Sequence, residues 1–230
     1  MSTLNTMKTN CHISCVFALL LAAQLTIAAK PLTLGEHGTQ RELFVDDHLI
    51  AAMTGDAKQH LNQPEPREVV LTTDAPWEGN TSGYPTVMRD GDVFKMIYRA
   101  HAMIWNTGKL MMARSPVVCY AESRDGVHWT RPDLGLFEFN GSKKNNIVWM
   151  GYGAHNFAPF LDQNPDCPSG ERIKALAGSS RKGLWALASA DGKKFRKLRE
   201  KAVIERGFFD SLNLAFWDSV SGLYREFHRD

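Results

Sequence analysis

From Arg41 to its end the chain alternates short apolar runs with clusters of Gly, Asp, Asn and Pro, and little of that stretch carries a helical period. Two patterns recur about every sixty to seventy residues. The first reads Ser-x-Asp-Gly-x-x-aromatic, at Ser123-Arg124-Asp125-Gly126-Val127-His128-Trp129 and at Ser189-Ala190-Asp191-Gly192-Lys193-Lys194-Phe195. Asp-Gly after a strand-like run predicts a tight hairpin turn, because Gly supplies the positive φ. Ser and Asp side chains hold such turns by bonding nearby backbone, and the aromatic returns to the sheet. A further Asp-Gly hairpin is expected at Asp90-Gly91.

The second pattern is an apolar strand, a polar turn, then a strand with a basic residue. It runs Pro85–Arg99, then Ala158–Asp162 leading to Arg172–Ala177, then Leu214–Phe227. Together the patterns give a unit of about four antiparallel strands, expected over Glu68–Asn140, Gly141–Lys201 and Ala202 onward. Four-strand repeats of roughly forty to fifty residues mark propeller blades, and this longer one implies longer loops. An all-β sandwich with coincidental turns is the alternative. The third unit stops at Phe227-His228-Arg229-Asp230, inside its second strand, so a truncated propeller of about three blades is expected.

The N-terminus breaks the pattern. Lys8 precedes an almost wholly apolar run from Ile13 to Ile27, and Ala28 and Ala29 follow. That order predicts a signal peptide over residues 1–29, with 30–230 as the exported N-terminal part of the propeller domain. The run is short of the ~20 apolar residues that a membrane span needs, so no stable membrane insertion is expected; an uncleaved anchor is the alternative. Cleavage would remove Cys11 and Cys15. Export permits a disulfide between Cys119 and Cys167, but Cys119 sits in a strand-like run, where buried free thiols are common.

Composition removes some functions. A net charge of +2 gives no case for nucleic acid, and basic pairs such as Lys143-Lys144 and Lys193-Lys194 stand beside turns, where they read as solvated loop tips. No CxxC or HExxH motif supports a zinc site. No cofactor is expected, and nothing supports a channel calcium ion.

Several segments carry a family resemblance. Glu42–Asp47, Pro76–Thr86, Cys119–Ser123 with Asp125, Gly126 and Trp129, Asn140–Ile147 and His155–Phe160 resemble the exported five-bladed β-propeller proteins of planctomycete-type bacteria. Those are similar to the invertase-like and arabinanase/xylosidase-like glycoside hydrolases of families 32 and 43. The resemblance implies an all-β, five-bladed β-propeller and a poly- or oligosaccharide substrate.

In a propeller the first strand of each blade lines the central channel, so the residues just before it face a common funnel. Here those are Trp77–Ser82, His155-Asn156 and Asp210–Asn213. Glycoside hydrolysis needs two carboxyl groups, roughly 5–10 Å apart, one protonating the leaving oxygen and one activating water or attacking. Glu78 and Asp210 are the catalytic candidates. Trp77, Asn80, His155, Asn156 and Asn213 are the substrate-binding candidates, with the Trp77 ring as a sugar platform. The chain departs from the invertase-like pattern: Glu78 replaces its first acid, Asn156 stands near the second and Asp210 near the third. A non-catalytic propeller that binds glycans or a protein partner is the alternative function.

Overall fold

The computed structural model describes residues 45–47 and 50–230. The chain divides after Pro64 into two units. The described part of the first is almost wholly exposed and has no strand or helix. Asp46 and Asp47 lie there in a bend, whereas the expected signal peptide lies outside the described residues.

The second unit is all-β. Among the described residues there is no α-helix, only a 3-10 turn at Ser169–Glu171. β1 (Thr81–Asp90) and β2 (Val93–His101) form an antiparallel hairpin. β3 (Met103–Asn106) and β4 (Lys109–Met112) make a small exposed hairpin of their own. β5 (Val117–Ser123) pairs with β2, and its other edge is shared by β6 (Trp129–Thr130) and β7 (Ile147–Met150). A second sheet runs β8 (Ala158–Leu161), β9 (Ile173–Ser179), β10 (Gly183–Ser189) and β11 (Arg196–Lys197) in sequence order. β12 (Leu214–Asp218) and β13 (Leu223–Phe227) form a third, two-stranded sheet. The first strand of the second sheet, β8, contacts both β1 and β12, so the three opening strands are neighbours.

The hairpin at Asp90-Gly91 forms as expected, but Asp90 pairs with Val93, so the turn residues are Gly91 and Asp92. The Ser-x-Asp-Gly segments need correction: they are not two-residue turns. Ser123 pairs with Trp129 across a five-residue loop. The Ser123 hydroxyl accepts the Gly126 N–H at 2.9 Å, and Asp125 Oδ1 accepts those of Val127 and His128 at 2.9 and 2.8 Å. Ser189 and Asp191 repeat the scheme on Gly192, Lys193 and Lys194 at 2.9, 2.8 and 3.1 Å. A carboxylate that caps two successive N–H groups stabilises a wider loop than φ > 0 alone would select.

The boundary expected between the first two four-strand repeats also shifts. Gly141 does not open the second sheet, because β7 belongs to the first. Asn146 fixes it there, donating to the Tyr120 carbonyl at 2.6 Å, and Ile147 and Val148 are buried.

The core follows from strand alternation. On β2, Ile97 points to one face while Met96, Tyr98 and Ala100 point to the other. On β5, Val118 and Tyr120 oppose Val117, Cys119 and Ala121 in the same way. β5 therefore reads as a continuous apolar run because both of its faces are covered. One face of the first sheet packs on Ile173, Ala175, Ala177 and Leu187 of the second. The opposite face of the second sheet, through Leu176 and Leu184, packs on Phe209. Cys119 and Cys167 are both free thiols.

One ionic device recurs in the first, second and third sheets and is not found in the β3–β4 hairpin among the described residues. A carboxylate at the end of the first strand pairs with a base on the second strand. Asp90 meets Lys95 at 2.6 Å, Asp162 meets Lys174, and Asp218 meets Arg225 at 3.0 Å. The basic residue of the second sequence pattern thus finds its partner within its own sheet. Lys95 also donates to the Asp191 carbonyl at 3.0 Å, which joins the first sheet to the second.

Candidate functional site

Each sheet has a fully buried polar side chain shortly before its first strand: Glu78, Asn156 and Asn213. Burying such groups is costly unless their hydrogen bonds are made inside. Glu78 Oε1 accepts the Tyr98 hydroxyl at 2.5 Å. Its Oε2 accepts the Ala75 N–H at 2.8 Å and Arg131 at 2.6 Å. Arg131 also meets Asp74 at 3.0 Å, and Asn146 donates to the Tyr98 hydroxyl at 3.0 Å. Burial and the neighbouring Glu78 push the Tyr98 hydroxyl far above its ordinary range. Asn156 links the second sheet to the segment before the third: its amide donates to the Phe209 carbonyl at 2.5 Å and its oxygen accepts the Gly178 N–H at 3.0 Å. Asn213 donates to the Ser211 carbonyl at 3.0 Å, and its buried Oδ1 lacks a partner among the described residues. The polar signature before each first strand is therefore a set of anchors.

Two other candidates are also held by the protein's own groups. Asn80 exchanges hydrogen bonds with the Met103 backbone, at 2.9 and 2.8 Å, and so continues the β1 pairing towards β3. The Trp77 indole donates to Asn146 at 2.6 Å and its ring packs on the core cluster behind the first sheet. His155 and Asp210 remain accessible.

These two stand together, with residues that sequence reasoning missed. Arg99 Nη1 lies 3.3 Å from both His155 Nδ1 and the His155 carbonyl. Its guanidinium carbon lies 4.3 Å from the Tyr84 ring centre, and the Tyr84 and His155 rings meet edge-on at 6.3 Å. The charge and backbone of Asp210 reach His155, and Asp210 pairs with Arg229 at 3.0 Å. His101, two residues beyond Arg99 on the same face of β2, is buried. Burial first, then Arg99, hold both imidazoles below the usual histidine range, so each is neutral at pH 7.

The backbone makes room for this cluster at some cost. Tyr84 sits at φ 53° in the irregular stretch where the β1–β2 register shifts, and Phe209, just before Asp210, sits at φ 51°. A left-handed conformation costs a non-glycine residue roughly 1–2 kcal/mol, so packing must hold it. Gly83 lies opposite Arg99, and a Cβ there would stand 2.9 Å from an Arg99 guanidinium nitrogen, so a side chain at this position would push the guanidinium aside. The sequence signal that could have found the cluster is Arg99 itself, a second base on a strand whose ionic partner is already matched to Lys95.

No protein-family model matches the chain. It is similar to the uncharacterised protein Rv1502 of Mycobacterium tuberculosis (strain ATCC 25618 / H37Rv), 28% identical over 109 residues, covering 47% of this chain and 34% of that protein. Among solved structures it is similar to a glycosyl hydrolase from Bacteroides ovatus, with 18% identity, TM-score 0.34, and coverage of 60% of this chain and 39% of that one. A putative glycoside hydrolase from Bacteroides ovatus ATCC 8483 matches at 23% identity and TM-score 0.31, over 57% of this chain and 39% of that one. A structure from the GH130 family, whose mannoside phosphorylases include glycoside hydrolases that target β-1,2 mannosidic linkages in Candida mannan, matches at 15% identity and TM-score 0.34, over 60% and 39%. The chain thus spans about a third of the curated relative and about two-fifths of these structures. At such scores the site must be read from its own geometry.

Proposed function

We propose that this is an exported carbohydrate-active protein on a propeller-type scaffold, and that a glycan docks on the surface formed by Tyr84, Arg99, His155 and Asp210. The observation that carries this is the convergence of those four groups from within β1, on β2, before β8 and before β12. A ring, a planar cation, an imidazole and an exposed carboxylate are the groups that sugar hydroxyls and ring faces require. The adjacency of β1, β8 and β12 and the family resemblance of the surrounding segments support it. Glu78 serves as the anchor of that surface in this reading. Hydrolysis would pair Asp210 with Glu78, and the burial of Glu78 against Arg131 and Tyr98 favours binding over hydrolysis.

The test is titration of the protein with a panel of plant and microbial oligosaccharides, with release of reducing ends followed in parallel. At least one glycan should bind the native protein, and Asp210→Asn should weaken it. Absence of binding across the panel would sink the reading. Turnover abolished by Asp210→Asn would promote the hydrolytic alternative. The export component is checked by N-terminal sequencing of secreted material, which should begin near residue 30; a start at Met1 or Met7 would overturn it.

A further inference from the structure

The first, second and third sheets share one ionic device, and Arg99, on the same strand as Lys95, falls outside it. Lys95, Lys174 and Arg225 each have an aspartate of their own sheet as partner. Among the described residues Arg99 pairs with no carboxylate: Nη1 is spent on His155, and Nε is buried without a partner. Beside it His101 is 5% exposed, with its Nδ1 also buried and unpartnered. A guanidinium with buried, unmet hydrogen-bonding capacity next to a buried, unmet imidazole is costly, and evolution retains such groups where a ligand completes them. The chemistry that completes them is an oxyanion, which accepts from a guanidinium fork and from imidazole N–H together.

We propose that Arg99, His101 and His155 form an anion subsite that takes the carboxylate of an acidic sugar. This deepens the glycan reading above and rests on it. The charged and titratable groups facing the subsite are few: Arg114 on the side of His101, Asp210 with Arg229 on the side of His155, and the Tyr84 hydroxyl ring beneath Arg99. Two of these neighbours, Arg114 and Arg229, are positive, and Asp210, the one acid, is already matched by Arg229. The field at Arg99 therefore favours a negative group. A planar carboxylate suits the guanidinium fork, and the Tyr84 ring offers its remaining edge to the sugar that carries the charge. No bond forms or breaks in this step; the ligand is bound, and the imidazoles gain protons more readily as the anion arrives.

The experiment compares three probes on the full chain: galacturonate oligosaccharide, its fully methyl-esterified form, and inorganic phosphate. Binding is followed by calorimetry, and the His101 and His155 titrations by NMR. The acidic oligosaccharide should bind roughly tenfold to a hundredfold more tightly than the ester, the scale of one charge-assisted hydrogen bond. It should also raise both imidazole titrations. Arg99→Gln should remove the preference, and Arg99→Lys, which keeps the charge without the fork, should lose most of it while remaining folded. Equal binding of acid and ester would overturn the subsite and leave the glycan reading standing. Phosphate that raises both titrations while neither saccharide binds would overturn both the sugar carboxylate and the glycan reading.

Discussion

Lys95 and Arg99 lie four residues apart on one face of β2, and they have opposite fates. Lys95 is buried, paired with Asp90 and bonded to the Asp191 carbonyl across the sheet interface. Arg99 is only part-buried, meets an aromatic ring and a neutral imidazole, and pairs with no acid among the described residues. The same strand thus carries a cation that holds two sheets together and one that waits for an outside partner. Position on a strand gives each its direction; the acid at the end of β1 decides which one becomes structural.

The sharpest way to break the comparison is to make Lys95 resemble Arg99. Asp90→Ala would leave a buried ammonium without its acid, and should destabilise the fold by about 3–5 kcal/mol. Urea unfolding measures this; a loss below about 1 kcal/mol would mean that the Lys95 pairing is not structural. Glu78→Ala should also be strongly destabilising, because it takes the acceptor from the buried Tyr98 hydroxyl and leaves Arg131 with Asp74 alone.

Acid should reproduce part of the Asp90 effect. The Lys95 ammonium first, and Arg172 after it, hold the Asp90 carboxyl below its ordinary 3.8, against the opposing pull of burial. A folded value below the unfolded one means that the contribution is fully present above pH 3.8 and is lost as pH falls through the depressed value. Stability measured from pH 6 downward should decline there, and Asp90→Asn should show a flatter profile over that interval. Identical slopes in the two proteins would assign the decline to other carboxyls.

A smaller effect is expected at the link between the second and third sheets. Asn156→Ala leaves the Phe209 carbonyl and the Gly178 N–H without their partner, at about 1–3 kcal/mol. It should also weaken glycan binding, since it loosens the segment that holds Asp210. The smallest stability change belongs to the other end of β2. Arg99→Gln should alter unfolding free energy by no more than about 1 kcal/mol, because no ion pair is lost. A drop as large as that of Asp90→Ala would erase the distinction between the two cations.

The sequence made the scaffold legible and concealed the site, for one reason. Strand alternation and turn residues are local, so the all-β class, the Asp90-Gly91 hairpin and the recurrence of Ser123–Trp129 in Ser189–Phe195 could be read from neighbours in the chain. Whether a polar residue before a strand faces water depends on what folds over it. Glu78 and Asp210 look alike in sequence, each an acid near a first strand. Arg131, 53 residues later, covers one, while the other stays half exposed beside Arg229. The β7 boundary was misplaced for the same reason, since Asn146 finds Tyr98 and Tyr120 only in three dimensions. The β3–β4 hairpin also escaped notice: its Thr107-Gly108 turn, with φ 48° and 76°, lies among apolar residues that end up exposed, so alternation gave no guide.

Tyr84 sets a strained backbone against a side-chain contact at this surface. A glycine at that position would adopt φ 53° without strain, so a search for stability alone would replace the tyrosine. Replacement would also remove the ring on which Arg99 rests, and the guanidinium would be free to swing towards solvent. At Tyr84 the backbone strain thus coincides with the contact that fixes the arginine. A laboratory evolution experiment that rewards only heat resistance should discard Tyr84 early, and a library screened for glycan retention should keep it.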